Sequence, residues 1–284
     1  MCNIFFYQIF FNFINKSKKL RLKLTLELPS LNCEVPINYQ YPLSAAIYKI
    51  LANADADYSA FLHDIGYKTE NELKSFKLFT FSDLKCPFGI NGDRLILKDK
   101  IAEVIIAFHL PSAAETFIKG VFTNQIIEIA DRKSRLKANI SQVEVLSNSL
   151  VAGINHYILS PISPLVCGTK NDKGNYDYLS PESPAFIPAF VFNWKEKYKT
   201  IYGLEESDLV FRNIEVAIEY YRNPPKSRLI TIKAGTTEET KVKGFVNFKL
   251  KVKANHEALD IILNAGGGLY NAMGMGCLEV LKTN

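Results

Sequence analysis

The sequence is poor in the residues that staple or metallate small proteins. Its five cysteines (Cys2, Cys33, Cys86, Cys167 and Cys277) are scattered with no CxxC pair. That excludes a disulfide scaffold and a cysteine-based zinc site, and it suits a reducing cytoplasm. The four histidines show no HExxH or comparable ligand spacing, so no metal is expected. No stretch reaches the run of about 18 apolar residues that a spanning helix needs. What is present is ordinary for a globular chain: 48% hydrophobic and 22% charged residues, values that exclude extended disorder, collagen-like repeats and coiled coil. A length of 284 residues predicts one large or two modest domains. The net charge of +5 permits a polyanionic partner without demanding one.

The most apolar stretch, residues 4–14 (IFFYQIFFNFI), precedes a basic run at 16–21. A secretion signal has the opposite charge order and a small-residue cleavage site. A short membrane-associating segment is one reading of this stretch. The expected one is an extension (1–19) outside the core, which then starts near Leu20, with no membrane partner.

From Leu20 the pattern reads as alternating elements. Leu22, Leu24, Leu26 and Leu28 alternate with polar residues as in a half-buried strand. Pro42 opens a helix whose apolar stripe is Leu43, Ala46, Ile47, Ile50 and Leu51. A second helix carries Tyr58, Phe61, Leu62 and Ile65 and ends at Gly66. Residues 77–81 (KLFTF) and 94–97 read as strands, with Asn91-Gly92 as a turn. A strand at 104–108, a helix from Pro111 and a strand at 126–129 complete this half. The second half repeats the order: strand 142–146, helix 190–201, strands 215–221, 228–233 and 244–253, helix 256–263 and strand 277–281. Each half approximates β-α-β-β-α-β, an α+β fold of two tandem ferredoxin-like domains. The division is expected in the polar segment 131–139, giving domains 20–135 and 136–284.

Candidate chemistry starts from the helical wheel. Tyr48 lies about 130° from the centre of the first stripe and His63 about 150° from that of the second. Neither is placed for the core, and the short link between the two helices brings their polar faces together. An imidazole near neutral pH takes or gives a proton, and a phenol assists the other transfer. Lys77, on strand 77–81, is placed to stabilise charge developing on phosphate oxygens; a solvated strand lysine is its plainer role. His109, His156 and His256 are expected to be structural. The segment 264–276 (NAGGGLYNAMGMG) follows a helix and precedes a strand, the reverse of a dinucleotide-binding turn, and lacks a P-loop lysine. Gly266, Gly267, Gly268, Gly274 and Gly276, with Asn271 among them, either bring backbone amides to an anion or make a tight packing loop. Lys233, Lys249 and Lys251 belong to a lysine-rich region, 226–253, whose alternation sets a basic stripe on one strand face. It is either a solvated face or a phosphate track.

In combination these segments resemble the CRISPR-associated endoribonucleases of the RAMP superfamily, which cut precursor CRISPR RNA within its repeats. The resemblance runs through VPINYQYPLSAAIYKIL (35–51), YSAFLHDIGY (58–67), KLFTFSDL (77–84), YILSPI (157–162) and GGGLYNAMGMGCLEV (266–280). It implies two ferredoxin-like domains with RNA along their cleft and a Tyr–His–Lys set matching Tyr48, His63 and Lys77. The implied reaction is metal- and cofactor-independent: a ribose 2′-hydroxyl attacks the adjacent phosphate and leaves 2′,3′-cyclic phosphate and 5′-hydroxyl ends. Tyr48 and His63 share the base and acid roles, with neither assigned to one residue. Repeat RNA is the implied partner, alongside other CRISPR-associated proteins and a second copy of the chain. Leu269 and Tyr270 depart from the charged residues often found in that loop, which leaves phosphate contacts to Gly266, Gly267, Gly268, Asn271, Gly274 and Gly276, with Lys233, Lys249 and Lys251. The competing reading is a non-catalytic repeat-RNA-binding subunit of an interference complex.

Overall fold

The computed structural model describes residues 20–68, 74–147, 150–221 and 223–283; the N-terminal extension expected at 1–19 lies outside them. In chain order the first part contains β1 (Leu20–Glu27), β2 (Glu34–Pro36), α1 (Gln40–Ala54), α2 (Ala56–Ala60), β3 (Phe79–Phe81), β4 (Phe88–Asn91), β5 (Arg94–Leu97), β6 (Ile101–Phe108), α3 (Pro111–Thr123), β7 (Ile126–Ala130) and β8 (Arg135–Leu146). The leucine alternation forms β1 as expected, with Leu20, Leu22, Leu24 and Leu26 all buried. The main sheet is antiparallel in the order β3-β6-β1-β8-β7, and β2, β5 and β4 make a small second sheet. Helices α1 and α3 pack together at Gly120, where a Cβ would stand 1.8 Å from the carbonyl oxygen of Ile50. Any side chain there forces the two helices apart.

The second part contains β9 (His156–Pro161), β10 (Gly168–Lys170), β11 (Tyr176–Tyr178), α4 (Phe186–Tyr202), α5 (Leu204–Phe211), β12 (Glu215–Tyr220), β13 (Lys226–Ile232), β14 (Thr240–Val246), β15 (Phe248–Lys253), α6 (His256–Asn264) and β16 (Leu278–Thr283). Its sheet runs β12-β15-β9-β16, with hairpins β10-β11 and β13-β14 inserted. Counting only the strands of each βαββαβ unit, both sheets have the order 2-3-1-4 and antiparallel neighbours. The fold is two tandem ferredoxin-like units. No helix among the described residues is long and apolar enough to cross a membrane.

Four expectations are corrected. Residues 142–146 do not open the second half: they end β8, which pairs with β1 from Arg21↔Leu146 onward and with β7, so hydrogen bonding carries the first sheet through the expected division at 131–139. Residues 244–253 are two strands, because Asn247 adopts a left-handed φ of 67° and turns the chain between β14 and β15. Helix α2 widens into a π-turn at Phe61–Ile65 before Gly66 caps it, and this i→i+5 turn breaks the helical period, so Ile65 is exposed. Lys77 precedes β3 rather than lying in it, since Leu78 has a left-handed φ of 52°.

Candidate active site

Tyr48, His63 and Lys77 come from α1, the π-turn and the segment entering β3. The Tyr48 and His63 rings meet edge to face with centroids 5.0 Å apart. Tyr48 is not the surface phenol that the wheel predicts. It is 9% exposed, packed on Phe79 at 5.5 Å, because β3 and the segment from α2 cover that side of α1. Ser59 fastens this second element by donating to the Tyr48 carbonyl at 2.9 Å. His63 remains exposed, as the wheel expects. Its Nδ1 lies 2.6 Å from Asp64 Oδ1, so the carboxylate orients the ring and leaves Nε2 for proton transfer.

Lys77 reaches the same place from the other side of the turn. A Cβ on Gly66, the π-turn's cap, would stand 2.9 Å from Lys77 Cδ and 3.1 Å from its Nζ. Gly66 also has a φ of 68°, so a side chain there is both strained and in the lysine's way. Partial burial lowers the Lys77 pKa, against the opposing pull of Asp64. Burial, reinforced by Asp64, raises the Tyr48 phenol well above its ordinary range. One carboxylate thus touches His63 and acts electrostatically on Tyr48 and Lys77. Asp64 is the residue that sequence reasoning missed; its signal was a carboxylate adjoining the candidate histidine.

The structure does not gather the expected RNA-binding residues here. The loop glycines are buried, and the amides of Gly267, Gly274 and Gly276 donate to the carbonyls of Gly276, Asn271 and Pro164. Gly276 has a φ of 69°, and a Cβ on it would lie 1.9 Å from the Gly267 carbonyl oxygen. Asn271 turns inward too, donating to the Gly267 and Met275 carbonyls. The buried Lys197 ammonium donates to the carbonyls of Gly266 at 2.6 Å and Gly268 at 3.0 Å and to Asn271 Oδ1 at 2.5 Å. The packing role therefore accounts for Gly266, Gly267, Gly268, Gly274 and Gly276, and the expected cradle of amides is corrected for the three whose N–H groups are taken. The loop instead joins the two halves: Ser44 donates to the Ala272 carbonyl and Thr80 to that of Met275. Its outer rim and Lys77 line a common cavity of about 290 Å³.

Lys249 and Lys251 do share the face of β15 opposite the buried Phe248, Leu250 and Val252. Glu219 on β12 lies 3.2 Å from the first and 3.0 Å from the second, so the stripe is partly neutralised. Lys233 sits elsewhere, paired with Glu238 beside a cleft that includes Tyr41, Arg132 and Lys133. His256 accepts a structural place, its Nε2 2.8 Å from the Val151 carbonyl. His109 is buried with Nδ1 3.4 Å from Asp260 Oδ2.

Two ferredoxin-like units are thus joined through a glycine-rich loop, and a tyrosine, a histidine and a lysine stand close to the π-turn. Residues 34–139 match the family "CRISPR-associated protein Cas6, N-terminal" and residues 151–280 match "CRISPR associated protein Cas6, C-terminal". These are the two parts of one family, and the chain belongs to it: this is a Cas6-family protein. It is 27% identical over 268 residues to a CRISPR-associated endoribonuclease Cas6 of Methanocaldococcus jannaschii, covering 90% of this chain and 91% of that one. The fold matches the structure of a Cas6-related gene product from Pyrococcus furiosus with a TM-score of 0.73 at 16% identity, covering 93% of this chain and 99% of the other. A RAMP protein binding different RNA substrates matches with the same TM-score at 15% identity, over 93% and 100% of the two chains.

Proposed function

We propose that this Cas6-family endoribonuclease cuts precursor CRISPR RNA within its repeats at the Tyr48–His63–Lys77 cluster, without a metal ion. A base takes the proton of a ribose 2′-hydroxyl, and O2′ bonds to the adjacent phosphorus. The bond from phosphorus to O5′ breaks, and a donor protonates O5′. The products are a 2′,3′-cyclic phosphate and a 5′-hydroxyl. The observation that carries the reading is the convergence on Asp64: its carboxylate orients His63 and acts on both Tyr48 and Lys77. Burial keeps the Tyr48 phenol protonated, which suits a hydrogen-bond donor. His63, oriented and open to solvent, is the group suited to exchanging protons with the RNA. The Lys77 ammonium stabilises charge growing on the phosphate oxygens.

The test is repeat RNA incubated with the protein in EDTA, alongside the same RNA carrying a 2′-deoxyribose 5′ to the cut. Cleavage of the first to a cyclic phosphate, with none of the second, is expected. Cleavage of the deoxy substrate contradicts 2′-hydroxyl attack, and an intact all-ribose substrate leaves a repeat-binding subunit.

A further inference from the structure

A second cavity of about 700 Å³ adjoins the one at Lys77, and the two share Lys74, Tyr176, Asn193 and Leu269. Side by side they make a groove that leads from the candidate catalytic lysine along the first turns of α4. We propose that this groove is a nucleotide-binding subsite for single-stranded RNA, with one base stacked on Phe192. The proposal rests on the endoribonuclease reading, since that reading makes Lys77 the place where RNA enters.

Three observations carry it. Phe192 is 60% exposed, whereas Phe190 and Trp194 on the same helix are fully buried. An aromatic ring turned to solvent from a helix with its own apolar face is unused by the core. The Lys74 ammonium lies 5.3 Å from the Phe192 ring centroid and equally far from that of Phe76. A ring beside a cation is the pairing with which single-strand binders hold successive bases and their phosphates. The groove also has a specific polar group in its wall. Asn193 is 4% exposed, and its carboxamide oxygen has no hydrogen-bond partner among the described residues. An unpaired buried acceptor is costly. A small rotation of this carboxamide, which lines both cavities, would let its oxygen accept from the amino group of a base.

The electrostatics agree. Lys74, Lys77 and Lys170 line the groove, with no carboxylate among its described lining residues. Tyr176, which lines both cavities, stacks with Tyr178, centroids 6.4 Å apart and planes 19° from parallel. The apolar floor and walls exclude water from a stacked base, and the lysines meet its phosphates.

The probes are fluorescein-labelled oligoribonucleotide octamers of uridine, adenosine and cytidine, titrated into the full chain and into Phe192→Ala and Phe192→Trp. The wild type is expected to bind at least one octamer. Alanine should weaken that binding about 5- to 100-fold, and tryptophan should restore it. Equal affinity for wild type and alanine overturns the subsite, as does a loss that tryptophan does not restore or a wild type that binds no octamer. Cleavage of repeat RNA by the wild type is measured in parallel. Its persistence in any of those failures leaves the endoribonuclease reading standing, and its absence sinks that reading separately.

Discussion

At the scale of single residues, the site depends on what burial does to two ordinary side chains, Tyr48 and Lys77. Lys77 acts only as an ammonium, and burial lowers its pKa. Rising pH therefore removes the charge earlier than at an ordinary lysine, whose pKa is about 10.4. The single-turnover rate should show an alkaline limb below that value, and Lys77→Ala should lose the limb together with most of the rate. A limb unchanged by the substitution assigns it to another group. The three residue types were legible in the sequence because an imidazole and a phenol off their apolar stripes invite a chemical reading. The burial of Tyr48 was not legible. A helical wheel describes one helix, and what covers Tyr48 is Phe79, brought over by a segment distant in sequence.

At the scale of elements, the glycine-rich loop shows how one composition supports two physical readings. Glycine permits a backbone to approach a phosphate or another backbone, and composition alone does not distinguish the guests. Here three of its glycine amides are taken within the protein, and Lys197, remote in sequence, holds two of its carbonyls and Asn271. Burial pushes the Lys197 pKa well down, with Lys74 nearby adding to the effect. Lys197→Ala leaves three acceptors in the interior with no donor. It should destabilise the fold by about 2–4 kcal/mol in chemical denaturation; unchanged stability removes the lysine from the joint. Helix and strand positions were largely legible, since leucine alternation and Pro42 or Pro111 at helix starts are local signals. The π-turn and the bend at Asn247 were not, because each departs from a regular period at a single place.

At the scale of the molecule, the element order carried the fold, and both sheets have the 2-3-1-4 arrangement that a βαββαβ order predicts. The division between halves was harder to read: a polar segment rich in lysine and arginine resembles a linker, yet here it is the turn of the β7-β8 hairpin and the first half of β8. The basic stripe of β15 is likewise answered from across the sheet by Glu215 and Glu219, a pairing visible only in the register. If the stripe carries RNA phosphates, Lys249→Glu with Lys251→Glu should weaken repeat binding and flatten its dependence on salt. Unchanged affinity at low salt places the RNA elsewhere. The central claim, that Tyr48, His63 and Lys77 serve one scissile linkage, meets its most direct test in single-turnover cleavage of labelled repeat RNA by His63→Ala at saturating protein, with affinity measured on the same RNA. The account predicts a rate lower by about 10²–10⁴-fold with binding retained. Cleavage as fast as that of the unaltered protein would contradict it.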